Sequence, residues 1–99
     1  MSIEEQYRCL VEAYFGIIEM DEYDLKIYVL KELEEYIKNF VNEYFDPNFN
    51  YKEEAEYIKD NVSVTTKLQS SLIVLNKINA KMELILLIKD KLKKLKEEN

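Results

Sequence analysis

Residues 66–96, TKLQSSLIVLNKINAKMELILLIKDKLKKLK, carry apolar side chains at Leu68, Leu72, Leu75, Ile78, Met82, Ile85, Ile88, Leu92 and Leu95. Intervals of three and four residues are the period of an α-helix, and neither Gly nor Pro interrupts them. The stretch therefore predicts one helix over 66–96. About 30 helical residues span about 45 Å. A compact domain of this size has a diameter of roughly 34 Å, so a straight helix would project beyond it. Its apolar runs, Leu72–Leu75 and Leu84–Ile88, are also too broad for one neighbour to cover. The economical solution is a homodimer with long helices paired or exchanged, through Leu72, Leu75, Ile78, Met82, Ile85, Ile88 and Leu92. The competing solution is a bend near Asn76–Asn79 within one chain. Asn79 either fixes the register of the pairing, as a buried polar residue can, or lies partly exposed at the edge of the stripe.

Upstream, Ser2-Ile3-Glu4-Glu5 is a capping box. Behind it, Ile3, Tyr7, Leu10, Val11, Tyr14, Phe15, Ile17 and Ile18 form one apolar stripe on a helix of about 3–20. Gly16 sits inside that helix, and the plain reason for a glycine there is the close approach of another helix. A second helix runs over about 22–45, its surface carrying the i,i+4 pairs Glu22→Lys26 and Glu34→Lys38. Residues 25–29 alternate like a strand, but the helical period continues well past them. Asp46-Pro47-Asn48 is the strong breaker and demands a true turn. Tyr44, Phe45, Phe49 and Tyr51 crowd around it; they pack a corner, or alternatively form a stacking platform beside Lys52. Asn50–Glu53 caps a short helix to residue 60, residues 61–65 read as an extended connection, and Thr66–Gln69 resembles a third box. The expectation is an all-α single domain of four helices of unequal length.

The 99 residues include no His, no Trp, one Gly, one Pro and one Cys, with a net charge of −6. The charge is divided: residues 1–60 hold 16 acids and 6 bases, residues 61–99 hold 4 acids and 8 bases. An acidic body argues against a broad nucleic-acid-binding face, because affinity for the backbone comes from neutralising phosphates. The one basic segment is the tail with Lys89, Lys91, Lys93, Lys94 and Lys96, the candidate contact for nucleic acid, anionic lipid or an acidic partner. The same lysines also complement a helix C-terminus and keep an overhanging end soluble. No secretory leader is expected, and charged and amide residues interrupting the apolar stretch 68–88 argue against a membrane span. A soluble, cytoplasmic protein is expected.

Little catalytic chemistry is on offer. Cys9 has no His to act as base and adjoins the apolar stripe, which makes it a core residue. The carboxylates of Glu32, Glu34 and Glu35 and of Glu53, Glu54 and Glu56 read as solvated faces rather than metal ligands, since one helix groups only i,i+3 or i,i+4 pairs. A phosphate loop needs more than one glycine. No enzyme activity, cofactor or metal is expected.

Tyr, Glu, Lys and Ile abundance, absence of His and Trp, and the start Met1-Ser2-Ile3-Glu4-Glu5-Gln6-Tyr7 together resemble the small proteins of filamentous archaeal viruses, the lipothrixvirus and rudivirus group. The resemblance spans the whole length and rests on no motif, so it transfers no site residue. It implies a hardy, thermostable viral protein acting in a host cell, whereas eight Asn residues run against thermophilic composition. The function expected is that of a dimeric, non-enzymatic adaptor. The alternatives are a nucleic-acid-associated regulator using the Lys tail, and an acidic mimic of DNA.

Overall fold

The structure, a computed structural model, describes residues 2–21, 23–78 and 82–97. They form five helices: α1 (Ile3–Ile18), α2 (Tyr23–Glu43), α3 (Tyr51–Asn61), α4 (Val64–Lys77) and α5 (Met82–Glu97). Short polar side chains set three of the starts. Ser2 accepts from the amide of Glu5 at 3.1 Å, and its hydroxyl donates to the Glu5 carboxylate at 3.3 Å. Asn50 accepts from the amide of Glu53 at 3.0 Å. Each cap satisfies one of the donors a helix start leaves unpaired.

The third cap corrects the sequence reading. Ser63, not Thr66, is the cap, accepting from the Thr66 amide at 3.2 Å, and α4 begins at Val64 inside the expected extended connection. β-Branched residues lose side-chain freedom against a preceding helical turn. In a first turn there is none, so Val64 and Thr65 are helical at little cost.

The larger correction concerns 66–96. This stretch is two helices, not one, which makes five helices where four were expected. Asn76, Lys77, Asn79 and Lys81 interrupt the apolar pattern between its two dense runs. At the break, Ile78 leaves helical geometry while its amide still donates to the Val74 carbonyl. α5 then packs on α4 and α2. A straight helix over 66–96 would exceed the longest extent of the described fold, 41 Å. Folding back buries Val74, Leu75, Leu84, Ile85 and Ile88 of the two apolar runs inside one chain, and each fully buried aliphatic side chain contributes about 1.5–3 kcal/mol. Asn79, and Glu22 of the expected Glu22→Lys26 pair, lie outside the described residues.

α1 is the hub, packing on α2, α3 and α4. Ile17, Leu33, Leu68, Leu75, Leu84 and Ile88 are fully buried in the main core, so every helix but α3 supplies at least one such side chain. A smaller cluster of Tyr7, Val11 and Ile58 joins α1 to α3. Gly16 lies where α1 meets α4: a Cβ there would stand 2.5 Å from Ser71 Oγ and 2.8 Å from the Lys67 carbonyl oxygen. The close approach that a glycine inside α1 implied is thus with α4.

Polar links complete the frame. Lys67 is buried, and its ammonium donates to the Glu19 carboxylate and to the Lys59 carbonyl, each at 2.9 Å. One side chain so joins α4 to the ends of α1 and α3. Lys26 donates to the carbonyls of Ile18 and Met20, closing the C-terminus of α1. The expected Glu34–Lys38 pair is not among the ion pairs of the described residues. Glu34 instead accepts from Tyr14 Oη at 2.8 Å, across from α1.

Tyr14 carries a pH consequence. Burial first, then the hydrogen bond to Glu34, raises its phenol from 10.0 to about 12. The unfolded chain loses this proton first, so stability is complete below pH 10 and declines as pH rises toward 12. Tyr14→Phe is expected to flatten that decline, read by urea denaturation at about pH 9 and about pH 11. An unchanged slope would place the alkaline sensitivity elsewhere, in Tyr7 first.

Candidate binding site

The Asp46-Pro47-Asn48 breaker builds a corner between α2 and α3. Asp46 Oδ1 accepts from the Asn48 amide at 2.9 Å and the Asp46 carbonyl from the Phe49 amide at 3.1 Å, a tight polar turn. Tyr51, the first residue of α3, reaches back across it. Its hydroxyl accepts from the Asp46 amide at 2.8 Å and donates toward the Tyr44 carbonyl at 3.4 Å. Tyr7 of α1 then donates to the Tyr51 carbonyl at 2.9 Å. Both phenol groups are thereby committed to backbone partners, and the Tyr7 ring itself is buried.

Those rings interlock. Tyr7 meets Tyr51 and Phe49 edge-on, at centroid distances of 5.1 Å and 5.8 Å. Phe45 stacks on Tyr51 at 5.9 Å. A cleft of about 470 Å³ opens here, walled by Tyr7, Tyr44, Phe45, Phe49 and Tyr51. Tyr44 and Phe45 are 42% and 63% exposed, so the wall is open to incoming groups. Glu4, Glu43 and Asp46 line the same cleft, and among the described residues no Lys or Arg does. The corner is thus both the packing element the sequence suggested and a cavity.

The cleft ends a longer groove. A neighbouring concavity shares Glu43 and Tyr44 with it and includes Tyr36 and Asn39. A third, lined by Lys31, Glu32 and Glu35, shares Tyr36 and Asn39 with the second. The path follows the outer side of α2 from residue 31 to residue 44, about 20 Å at the helical rise. Among the described residues, five carboxylates and one ammonium line it.

Arg8 stands behind the corner. Its guanidinium bonds Glu54 at 2.6 Å and lies 5.9 Å from the centre of the Phe49 ring. The hydrogen bond to Glu54 holds its pKa above the ordinary arginine value. Burial, then the charge of Glu54, raises the phenol of Tyr7, so this tyrosine stays neutral. The sequence reading named Lys52 as the one base beside these aromatics. Arg8 was missed because it is 46 residues from Glu54, and no local pattern joins them.

The residues offered as a dimer interface fall differently. Leu75, Ile85, Ile88 and Leu92 are buried within the chain, and Leu72 and Ile78 are partly buried against the same core. Met82 stays 64% exposed. In the Lys tail, Lys91 donates to the Glu19 carbonyl at 3.3 Å and Lys94 pairs with Asp90 at 3.1 Å. Lys89, Lys93 and Lys96 are exposed on one face of α5, at intervals of four and three. Cys9 is half-buried beside the core, and burial raises its thiol pKa. Among the described residues no three carboxylate or thiol groups converge as a metal site requires. None of the helices is long and apolar enough to cross a membrane, among the same residues. The chain matches no protein-family model, no curated protein and no solved structure.

Proposed function

We propose that this protein is a non-enzymatic adaptor whose acidic, tyrosine-bearing groove along α2 takes a basic segment of a protein partner. The observation that carries the reading is the continuity of the groove with the aromatic cleft, under a predominantly negative charge. Tyrosines supply large rigid contact area, and charge of one sign steers the complementary partner. In this reading the chain is a viral protein and the partner a host or viral one. The regulator alternative ranks behind it. Lys89, Lys93 and Lys96 would neutralise about three phosphates, which gives weak and strongly salt-dependent affinity.

Titration with a short lysine-rich peptide, followed by the amide resonances of the full chain, tests the proposal. Shifts are expected at Glu32, Glu35, Tyr36, Asn39 and Glu43, weakening with salt and vanishing in Glu35→Lys/Glu43→Lys. No binding at low salt, or equal binding of a glutamate-rich peptide, would overturn it. Light scattering on the free protein addresses self-association, which in this arrangement would use the exposed Ile73, Met82 and Leu86. A mass of twice 11.9 kDa supports a homodimer, and 11.9 kDa at all concentrations excludes it.

A further inference from the structure

We infer that the cleft at the α2–α3 corner is an aromatic cage for an organic ammonium group. The inference deepens the proposal above and rests on it for the source of the cation, a lysine side chain of the partner.

Three features of the cleft select the ligand class. Five of its lining residues are aromatic, and the hydroxyls of Tyr7 and Tyr51 are spent on backbone partners. Aromatic faces attract ammonium groups through the ring quadrupole, most strongly where water is partly excluded. Next, Glu4, Glu43 and Asp46 line the cleft and, among the described residues, no Lys or Arg does, Arg8 beside Phe49 being paired with Glu54. An anion would be repelled by all three. A neutral apolar ligand would strip water from carboxylates and offer their charge no partner in return. A cation is the occupant that both the rings and the carboxylates favour. The volume, about 470 Å³, falls in the range of small-ligand sites and accommodates an ammonium head with its alkyl stem. A bare metal ion fits poorly, since the walls offer few converging oxygens.

The position adds an argument about access. Phe45 and Tyr44 follow α2 directly, and their exposure opens the cleft toward the groove. A basic segment lying along Glu32, Glu35 and Glu43 therefore delivers its terminal side chain to the rings.

The test uses the full chain and three probes: choline, dimethylbutanol (its uncharged carbon isostere) and the lysine-rich peptide. Choline is expected to shift the resonances of Tyr44, Phe45 and Phe49, with dimethylbutanol at least roughly tenfold weaker. Phe45→Ala and Glu43→Gln are each expected to weaken choline severalfold. Both side chains are exposed, so these variants keep the fold. Choline binding that the peptide displaces supports the cage and the groove together. If choline binds and the peptide does not, the cage stands as a site for a free amine and the groove reading fails. If the peptide binds while choline does not, and Phe45→Ala leaves the peptide unaffected, the cage is overturned and the groove survives. Equal binding of choline and dimethylbutanol also overturns it, leaving a plain apolar pocket.

Discussion

Replacing Ile88 by alanine is expected to cost about 3 kcal/mol, within the 2–5 kcal/mol typical of a fully buried isoleucine. Ile88 is completely inaccessible and sits in the core with Leu68, Leu75 and Leu84. A chain of this length has a total stability of about 5–15 kcal/mol. The loss is therefore a large fraction, and a fall in melting temperature on the order of 15 °C is expected. Leu86, two residues away and 56% exposed, supplies the control. Leu86→Ala is expected to change stability by less than about 0.5 kcal/mol. Urea denaturation followed by circular dichroism, run at several protein concentrations, measures both. If α5 docks on its own chain, the Ile88 effect is large and independent of concentration. If the helix buries Ile88 against a second copy instead, the midpoint rises with concentration. Equal, small effects at Ile88 and Leu86 would sink the assignment of α5 to the core.

That experiment addresses the point where sequence reasoning went astray. The period of three and four from Leu68 to Leu95 was real, and it marks residues that, Met82 apart, are buried or partly buried. Periodicity identifies which side chains seek cover, but not which surface provides it. One continuous helix and a helical hairpin share the same pattern when the connection lacks Gly and Pro. The signal for the break was polar, in Asn76, Lys77, Asn79 and Lys81, and it is weaker than a proline because each of these residues is tolerated in a helix. Geometry favoured the hairpin: two broad apolar runs can cover each other only if the chain reverses.

The remainder of the fold was legible where the chemistry is local. Ser2 and Asn50 cap helices because a short polar side chain reaches an amide three residues ahead, and that spacing is written in the sequence. The corner at Asp46-Pro47-Asn48 was legible for the same reason. The groove was not. It is assembled from α1, α2, the loop and the start of α3, and the pairing of Tyr7 with Tyr51 spans 44 residues. Composition showed an acidic first half and crowded aromatics, yet only folding brings Glu4 to the cleft that Glu43 and Asp46 also line. Lys67 is a similar case: a lysine in an amphipathic helix reads as solvated, whereas here Glu19 and a backbone carbonyl hold it inside. A buried ammonium persists only with such partners.

The glycine in α1 gives the second large effect. On intrinsic propensity alone, Gly16→Ala would favour the helix by about 1 kcal/mol. The packing reverses that sign. The added Cβ would stand 2.5 Å from Ser71 Oγ and 2.8 Å from the Lys67 carbonyl oxygen, both closer than atoms approach without displacement. Ser71 is fully buried, with its hydroxyl 3.0 Å from the Ala13 carbonyl and 2.9 Å from the Lys67 carbonyl. Rotating it away would strand a buried hydroxyl, at about 1–3 kcal/mol. The Lys67 carbonyl belongs to the α4 backbone and yields only if the helix moves. Overpacking of this kind costs about 1–3 kcal/mol, so a net loss of about 2 kcal/mol is expected for Gly16→Ala. Adding Ser71→Ala removes one of the two obstacles, and the pair should couple by about 0.5–1 kcal/mol. Full restoration is not expected, because the carbonyl remains in place. Any outward shift of α4 also pulls Lys67 from Glu19 and Lys59, which spreads the loss beyond the site of substitution. Chemical denaturation of the parent, both single variants and the double variant measures the cycle. A Gly16→Ala protein as stable as its parent, or more so, would mean that α1 and α4 do not touch at this point.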